Sequence, residues 1–231
     1  MPRAIADVLL VSPNDYIRPV SIELGEDGRF AAIHEGHRPP DGIEVIFDGG
    51  GEIYATAGLT HLTHYCNQMS ALHHRNVGLV GAGLLDDGVM IELICDGIHL
   101  CDDMIRLVFK HRSCDRLMLI TDSIAAAHLG DGTYPLNDGE IIVKDGQARI
   151  PAGNLAGSVV TFDDALRRAA RITGLPLNEL SKTCAANQAR SLRLDDRGRI
   201  QEGLLADFTL LTPGLEVVAT YVGGEMRYAA A

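Results

Sequence analysis

Three short segments that have the pattern of strands, with polar residues at or just after their ends, constrain the fold of this sequence more than any other feature. Residues 59–64, 89–95 and 117–121 each have the length and composition of one strand. Between the last two, residues 102–110 place apolar side chains at helical spacing. Alternation of strand and helix is typical of βαβ units, so we predict an α/β fold with a parallel sheet in this part of the chain.

Beyond these strands, the sequence predicts a hairpin and three helices. Thr161 is a suitable N-cap for the first helix, Asp163 and Asp164 suit its first turn, and Gly174 suits its end. The hairpin is predicted to pair residues 140–143 with 147–150, and the helices to cover residues 162–172, 177–183 and 186–192.

Both ends of the chain have the pattern of short strands separated by turn residues. Strands are predicted at residues 5–11, 20–24, 30–34, 44–47, 208–211 and 217–222. The first four are predicted to form an antiparallel unit, which is too small to be stable alone. We therefore expect residues 1–56 and 201–231 to pair into one small β-sandwich, with residues 57–200 inserted as a second domain. Two separate β units are the alternative.

Composition disfavours several classes of function. The 231 residues are 46% hydrophobic, and the net charge is −11 without any run rich in lysine and arginine, which disfavours binding to nucleic acid. The five cysteines are odd in number and none has C-x2-C spacing, so neither a disulfide framework nor a zinc ribbon is indicated. No apolar run reaches the ~18 residues of a membrane span, and no secretory leader is recognisable, so we expect a cytoplasmic protein without a membrane partner.

The histidines supply the first chemical signal, because seven of the nine lie between His61 and His128. Polar candidates follow the three predicted strands in turn: His64, then His99, then Asp122. The chemistry of parallel α/β folds lies at the carboxyl ends of the strands, so these three are candidates for one active site. His64 suits a metal ligand and Asp122 a general base. His61 and His64 point to opposite faces of a strand, so they bind one metal ion only if the strand ends between them.

Two loops carry further candidates. Arg75 follows two histidines and can hold an anionic group with paired hydrogen bonds, or can be an exposed basic residue without a ligand. The segment from Leu155 to Ser158 precedes the helix that Thr161 begins. Its small residues allow close approach of the backbone, and an ordinary loop is the alternative.

These motifs, in this order, resemble the N-acetylglucosamine-6-phosphate deacetylases of the amidohydrolase superfamily. The segments that carry the resemblance are THYCNQM at 63–69, HHRNVGLVG at 73–81, DGIH at 96–99, LITD at 119–122 and LAGS at 155–158. The similarity runs from about Gly58 to the C-terminus, and residues 1–57 resemble the family's N-terminal β segment. The resemblance implies a (β/α) barrel of the metallo-dependent hydrolase type, truncated in this chain, beside the small β-sandwich.

The resemblance also implies an activity. The family hydrolyses the acetamido group of N-acetylglucosamine 6-phosphate to glucosamine 6-phosphate and acetate, with a divalent metal ion, zinc or iron. Asp122 would be the catalytic base that later gives its proton to the leaving amine, and His64 would be a metal ligand. The residues implied to bind the substrate are His99, Asn67, Gln68, Arg75 and Leu155. Of these, Arg75 would reach the phosphate in the neighbouring subunit's site, which implies a homodimer.

The sequence departs from the family where the barrel begins. Family members enter the barrel on a strand with His-x-His and later supply a metal-binding glutamate and a second metal-binding histidine, whereas here residues 57–59 run directly into 60–64. Residues 58–200 are too few for an eight-stranded barrel, which takes about 250 residues. Whether His61 replaces one of the missing metal ligands is open. An alternative substrate, another N-acyl amine or a cyclic amide, is open too.

Three explanations of this departure stay open. A stretch of a longer protein is missing from this sequence, or a deletion is completed by another chain. In the third, the protein is a relative without catalytic activity that binds a sugar phosphate or only assembles. The amount of divalent metal bound by the protein separates the enzyme from the non-catalytic relative, because the hydrolysis requires that ion.

Overall fold

The chain divides into an all-β part and a mixed part. The computed structural model describes residues 2–12, 15–24, 30–56, 59–136 and 139–230. Two compact units are formed, Met1–Thr60 and His61–Ala231. The first contains only strands, and the second contains both helices and strands.

The first unit is a four-stranded sheet. Its strands are β1 (Arg3–Ser12), β2 (Asp15–Leu24), β3 (Phe30–Glu35) and β4 (Glu44–Thr56), and they lie in the order β3-β2-β1-β4. Neighbouring strands are antiparallel except for β4, which runs parallel to β1. The expectation of a purely antiparallel unit is therefore wrong for β4, because the chain crosses from β3 at one edge to the far side of β1.

The second unit is built on a three-stranded parallel sheet. Its strands are β5 (His61–Leu62), β6 (Met90–Ile94) and β7 (Leu117–Ile120), side by side in that order. Helix α1 (Gly78–Leu85) lies between β5 and β6 in the chain, and α2 (Asp102–His111) lies between β6 and β7. The predicted α/β fold with a parallel sheet is confirmed. β5 is shorter than predicted because the chain turns away after Leu62.

Burial explains why these apolar runs are strands. Ile91, Leu93 and Leu117 have no exposed surface, as expected for a parallel sheet that is covered on both faces. Ile105 and Val108 of α2 are fully buried too, so the predicted helix packs its apolar side inward. Periodicity does not predict α1, because its sequence GLVGAGLL is apolar all round and its glycines are poor helix formers.

An antiparallel meander follows β7. It consists of β8 (Gly132–Leu136), β9 (Gly139–Lys144) and β10 (Gln147–Arg149). The predicted hairpin is β9 and β10, and its turn residues Asp145 and Gly146 both have positive φ, which a tight type I′ turn requires. β8 contains Pro135, a residue that argues against a strand in sequence analysis. A small core of Ala126, Ile141, Val143 and Ala148 supports the meander.

Three helices complete the α/β part: α3 (Phe162–Thr173), α4 (Leu177–Leu180) and α5 (Ala186–Ser191). The Thr161 side-chain oxygen accepts the N–H of Asp164 at 3.2 Å, and Gly174 ends α3 in the left-handed conformation. The three predicted helices are confirmed, except that the middle one is a single α-turn continued by the 3-10 turn Ser181–Thr183. Among the described residues, none of the helices combines the length and the apolar character that crossing a membrane requires.

The last part of the chain is a three-stranded antiparallel sheet of β11 (Phe208–Leu211), β12 (Val217–Val222) and β13 (Glu225–Ala229). The rings of Phe208 and Tyr221 stack across β11 and β12 with centroids 4.6 Å apart. Sequence analysis misses β13 because its residues EMRYA include two charged side chains in five. The shared β-sandwich of residues 1–56 and 201–231 and the barrel of residues 57–200 stay predictions.

Candidate functional site

A cavity of about 400 Å³ is lined by residues that follow the three parallel strands and by the loop after β10. The cavity brings together six residues that sequence analysis selected as site candidates, and adds two more. The lining residues are His64, Asn67, Gln68, His99, Asp122, Asn154, Leu155 and Gly157. Residues far apart in the chain thus meet beyond the carboxyl ends of β5, β6 and β7, which is where a parallel α/β fold is expected to bind its ligand.

The segment after β5 turns sharply, and hydrogen bonds hold the turn. His64 (φ 36°) and Gln68 (φ 57°) have left-handed backbone, which costs about 1–3 kcal/mol for a residue other than glycine. The side-chain amide of Asn67 donates to the carbonyls of His64 and Tyr65 at 3.1 and 3.2 Å. The buried hydroxyl of Tyr65 donates to the carbonyl of Val80, and burial raises its pKa well above the ordinary value. These bonds offset the strain and keep His64 at the cavity.

His64 is the clearest candidate for a metal ligand. Its Nδ1 atom is buried and has no hydrogen-bond partner among the described residues. A buried polar atom without a partner costs about 1–3 kcal/mol, so an unpaired imidazole nitrogen at a cavity wall suits a ligand or a metal ion. Within the described ranges, however, no three His, Cys, Asp or Glu side chains form a group that could hold a metal ion. Since catalytic zinc sites have three protein ligands, these residues supply only part of such a site.

His99 is fixed by Asp96 in the loop between β6 and α2. The imidazole Nδ1 lies 2.7 Å from Oδ2 of Asp96, and Oδ1 accepts the N–H groups of Ile98 and His99 at 2.8 and 2.9 Å. Burial alone would raise the pKa of Asp96, but the hydrogen bonds from His99 and Ile98 outweigh it and hold that pKa below its ordinary value. With Nδ1 bonded to Asp96, the ring nitrogen left for a ligand is Nε2.

Asp122 follows β7 and is tied to the loop that carries Leu155. Its backbone is left-handed (φ 51°), and its carbonyl accepts the N–H of Ser158 at 2.8 Å, while the Ser158 hydroxyl donates to the carbonyl of Thr121. Gly157 permits this approach, since a β-carbon there would lie 2.9 Å from the Asp122 carbonyl oxygen. The Asp122 side chain is left exposed at the cavity.

Two predicted site residues, His61 and Arg75, do not line this cavity. His61 is the first residue of β5, and its Nε2 lies 2.6 Å from the hydroxyl oxygen of Ser191 on α5. Arg75 is exposed on a tight turn closed by two backbone hydrogen bonds between His73 and Asn76, at 2.9 and 3.0 Å.

Asn154 is a cavity residue that sequence analysis missed. It lies in the bend after β10, where its carbonyl accepts the N–H of Ile150 at 3.0 Å. Loop residues show no periodicity, so its position directly before Leu155 is the one signal in the sequence that could have suggested it.

The cysteines near the strand ends are poor candidates for metal ligands. Burial raises the pKa of the Cys66 thiol to about 11 and that of Cys95 to about 12. The thiolate is the form that binds metal, and among the described residues neither thiol belongs to a group of ligands that could hold a metal ion.

Comparison with known proteins gives a consistent result. No protein-family model matches the chain. The chain is 35% identical over 170 residues to an N-acetylglucosamine-6-phosphate deacetylase of Lysinibacillus sphaericus, covering 74% of this chain and 44% of that protein. It is also 35% identical over 164 residues to a candidate N-acetylgalactosamine-6-phosphate deacetylase of Escherichia coli K12, covering 71% of this chain and 98% of that protein.

Solved structures agree. The N-acetylglucosamine-6-phosphate deacetylase of Thermotoga maritima matches with a TM-score of 0.72 and 46% identity, over 75% of this chain and 48% of that one. A mutant of the Mycobacterium smegmatis deacetylase in complex with N-acetyl-D-glucosamine-6-phosphate matches with a TM-score of 0.69 and 33% identity, over 73% of this chain and 45% of that one. The chain spans about half the length of most of the relatives it matches.

Proposed function

Since the chain belongs to the N-acetylglucosamine-6-phosphate deacetylase family, we propose that its cavity binds a 6-phosphorylated N-acetylhexosamine and that Asp122 serves hydrolysis of the acetamido group. The observation that carries the proposal is the convergence of His64, His99 and Asp122. They come from three successive strand ends and line one cavity. A conserved fold alone would not carry it, because function depends on the site.

The proposed chemistry uses one carboxylate twice. Asp122 would accept a proton from the attacking water and would return it to the amine nitrogen as the C–N bond breaks. His99, held by Asp96, would offer Nε2 to a hydroxyl of the sugar. Gln68 and the loop at Leu155 would line the rest of the sugar phosphate site. The amide nitrogen of Asn67 is engaged with two carbonyls, so its Oδ1 atom would face the ligand.

The family implies a divalent metal ion, which would polarise the acetamide carbonyl and activate the water. His64 would hold it, because its buried Nδ1 has no partner among the described residues. Those residues do not complete a catalytic site. Further ligands would come from a stretch absent from this sequence or from another chain. His61 stays a prediction as a second ligand, and its Nε2 is already bonded to Ser191.

The finer architecture is also a proposal. β5, β6 and β7 would be three strands of a (β/α) barrel, which their parallel order and helical connections support. Residues 1–56 and 201–231 would form one β-sandwich. Arg75 would contact the phosphate in a neighbouring subunit of a homodimer, and its exposure on a turn away from the cavity supports this role. A cytoplasmic location would suit this sugar phosphate chemistry.

The direct test is acetate release from N-acetylglucosamine 6-phosphate and N-acetylgalactosamine 6-phosphate, with zinc or iron supplied. Both epimers belong in the test, because relatives of both names match the chain. Asp122→Asn should lower turnover by about 100-fold or more and should leave sugar phosphate binding within about twofold. Asp103→Asn is the matched control, since that carboxylate is 90% exposed on α2. Equal loss in both variants, or full activity of Asp122→Asn, would exclude Asp122 as the base.

A second candidate function is sugar phosphate binding without hydrolysis. Two observations favour it: the exposure of Asp122, and the lack of a three-ligand metal group within the described ranges. Calorimetry with each sugar phosphate distinguishes the two functions. Binding without acetate release in the presence of metal would support the second, and release would exclude it.

A further inference from the structure

Arg168 of α3 reaches across to the loop that carries His99. Its guanidinium Nη2 lies 2.5 Å from Oδ1 of Asp102, the first residue of α2. The side chain is mostly buried, at 31% exposure, and its Nε has no hydrogen-bond partner among the described residues. Burying an unpaired N–H is unfavourable, so hydrogen bonding alone does not explain why the side chain takes this path.

Gly97 supplies the explanation. Its backbone is left-handed (φ 79°), and a β-carbon built on it would overlap the guanidinium group of Arg168. The guanidinium therefore lies against the backbone of the β6–α2 loop, at the residue that follows Asp96. A planar guanidinium can cover a peptide in this way, whereas the flexible ammonium of lysine cannot.

The ion pair with Asp102 does not by itself require Arg168. Arg171, one turn further along α3, also approaches Asp102, with its Nη2 3.5 Å from Oδ2. Arg171 is 62% exposed and is not among the atoms that crowd Gly97. Both arginines lie on α3 and approach Asp102, but the contact with Gly97 is made by Arg168.

We propose that Arg168 is a positioning residue: anchored on Asp102, it clamps Gly97 and so holds the Asp96–His99 turn with Nε2 of His99 directed to the cavity. The role of His99 toward a sugar rests on the proposed function. The clamp itself does not, because it concerns the orientation of the imidazole in the free protein. Arg168 acts through Asp96 and His99 and does not itself line the cavity.

The test is the tautomer of His99, read from a long-range proton–nitrogen NMR spectrum of the labelled protein. In the wild type, His99 should carry its proton on Nδ1, where Asp96 accepts it. Arg168→Ala should replace this pattern by the tautomer mixture of an unconstrained imidazole. Arg171→Ala, the matched control, should leave the wild-type pattern. An Arg168→Ala protein that keeps the wild-type His99 signals would overturn the proposal.

A second variant covers the case in which Arg168→Ala does not fold. Arg168→Lys keeps the charge beside Asp102 but loses the planar group over Gly97, so it should show the tautomer mixture with an unchanged circular dichroism spectrum. If lysine preserves the Nδ1 pattern, the ion pair suffices and the clamp is rejected.

Binding separates this proposal from the proposed function. If the wild type binds N-acetylglucosamine 6-phosphate, Arg168→Ala should weaken binding by about tenfold, as losses of supporting side chains commonly do, and Arg171→Ala by less than twofold. Absence of binding in the wild type would count against the proposed function, while the His99 spectra would still decide the clamp. If Arg168→Ala loses the Nδ1 pattern of His99 but binds the sugar phosphate as tightly as the wild type, the clamp stands and the proposed contact of His99 with the sugar is rejected.

Discussion

Three residues that line the cavity have strained backbone. His64, Gln68 and Asp122 all have positive φ, although none is glycine, and each costs about 1–3 kcal/mol. Such strain persists only where the surroundings over-determine the conformation. Here the Asn67 amide and the Ser158 backbone provide that constraint. Positive φ also occurs outside the cavity, at Asp145 and Leu215 for example, so strain alone does not identify the site.

Asp96 gives a prediction about stability and pH. The pKa of Asp96 is depressed in the folded protein, so its stabilising effect is present above the ordinary value of 3.8 and is lost as the pH falls through the folded value. Asp96→Asn should therefore lower the free energy of unfolding by about 1–3 kcal/mol at pH 7, and the difference from wild type should shrink at pH 3.

Urea unfolding at both pH values measures this. Asp103→Asn is the control, and because that side chain is 90% exposed its effect should stay below about 0.5 kcal/mol at either pH. A deficit in Asp96→Asn that is equally large at pH 3 and pH 7 would show that the carboxylate charge is not responsible.

At the scale of elements, the loop after β10 and the end of β7 form one unit around Gly157. A β-carbon at Gly157 would lie 2.6 Å from Cγ2 of Ile124 and 2.9 Å from the Asp122 carbonyl oxygen. Gly157→Ala should thus destabilise the protein and displace Asp122. Gly153→Ala is a matched control, since Gly153 also has positive φ but has no atom within 4 Å of a β-carbon.

The two variants separate steric overlap from backbone strain. Gly157→Ala should cost about 1–3 kcal/mol more than Gly153→Ala, the typical cost of overpacking. Thermal or urea unfolding of both proteins gives the comparison. Equal costs would mean that the loop has room to move away from Asp122, and that the close packing at Gly157 does not hold Asp122 in place.

Elements with a clear apolar pattern could be predicted from the sequence, and others could not. α2 and α3 have an apolar side that matches the helical period, β7 is a continuous apolar run, and β6 is apolar except for Glu92. α1, by contrast, is apolar all round and β8 contains a proline, so local pattern does not identify them. Their packing decides their structure, and packing depends on residues far away in the sequence.

For the molecule as a whole, the order of β5, β6 and β7 predicts where an active site can lie. It does not predict which further residues or metal ligands complete that site. The strand ends select His64, His99 and Asp122 because polar residues directly follow buried strands. Asn154, in contrast, enters the cavity by loop geometry that no sequence pattern encodes. Metal ligands from outside the described residues cannot be predicted either, because the spacing of histidines and the burial of strands give no information about them.

We propose one cavity as the site of the 6-phosphorylated N-acetylhexosamine. Its most direct test is addition of N-acetylglucosamine 6-phosphate to the isotope-labelled protein with a diamagnetic divalent metal present, followed by amide and imidazole NMR shifts. We expect shifts that cluster at the segments containing His64, His99, Asp122 and Leu155 and that saturate with ligand. Saturating shifts that cluster elsewhere, or an unchanged spectrum at high ligand concentration, would contradict it.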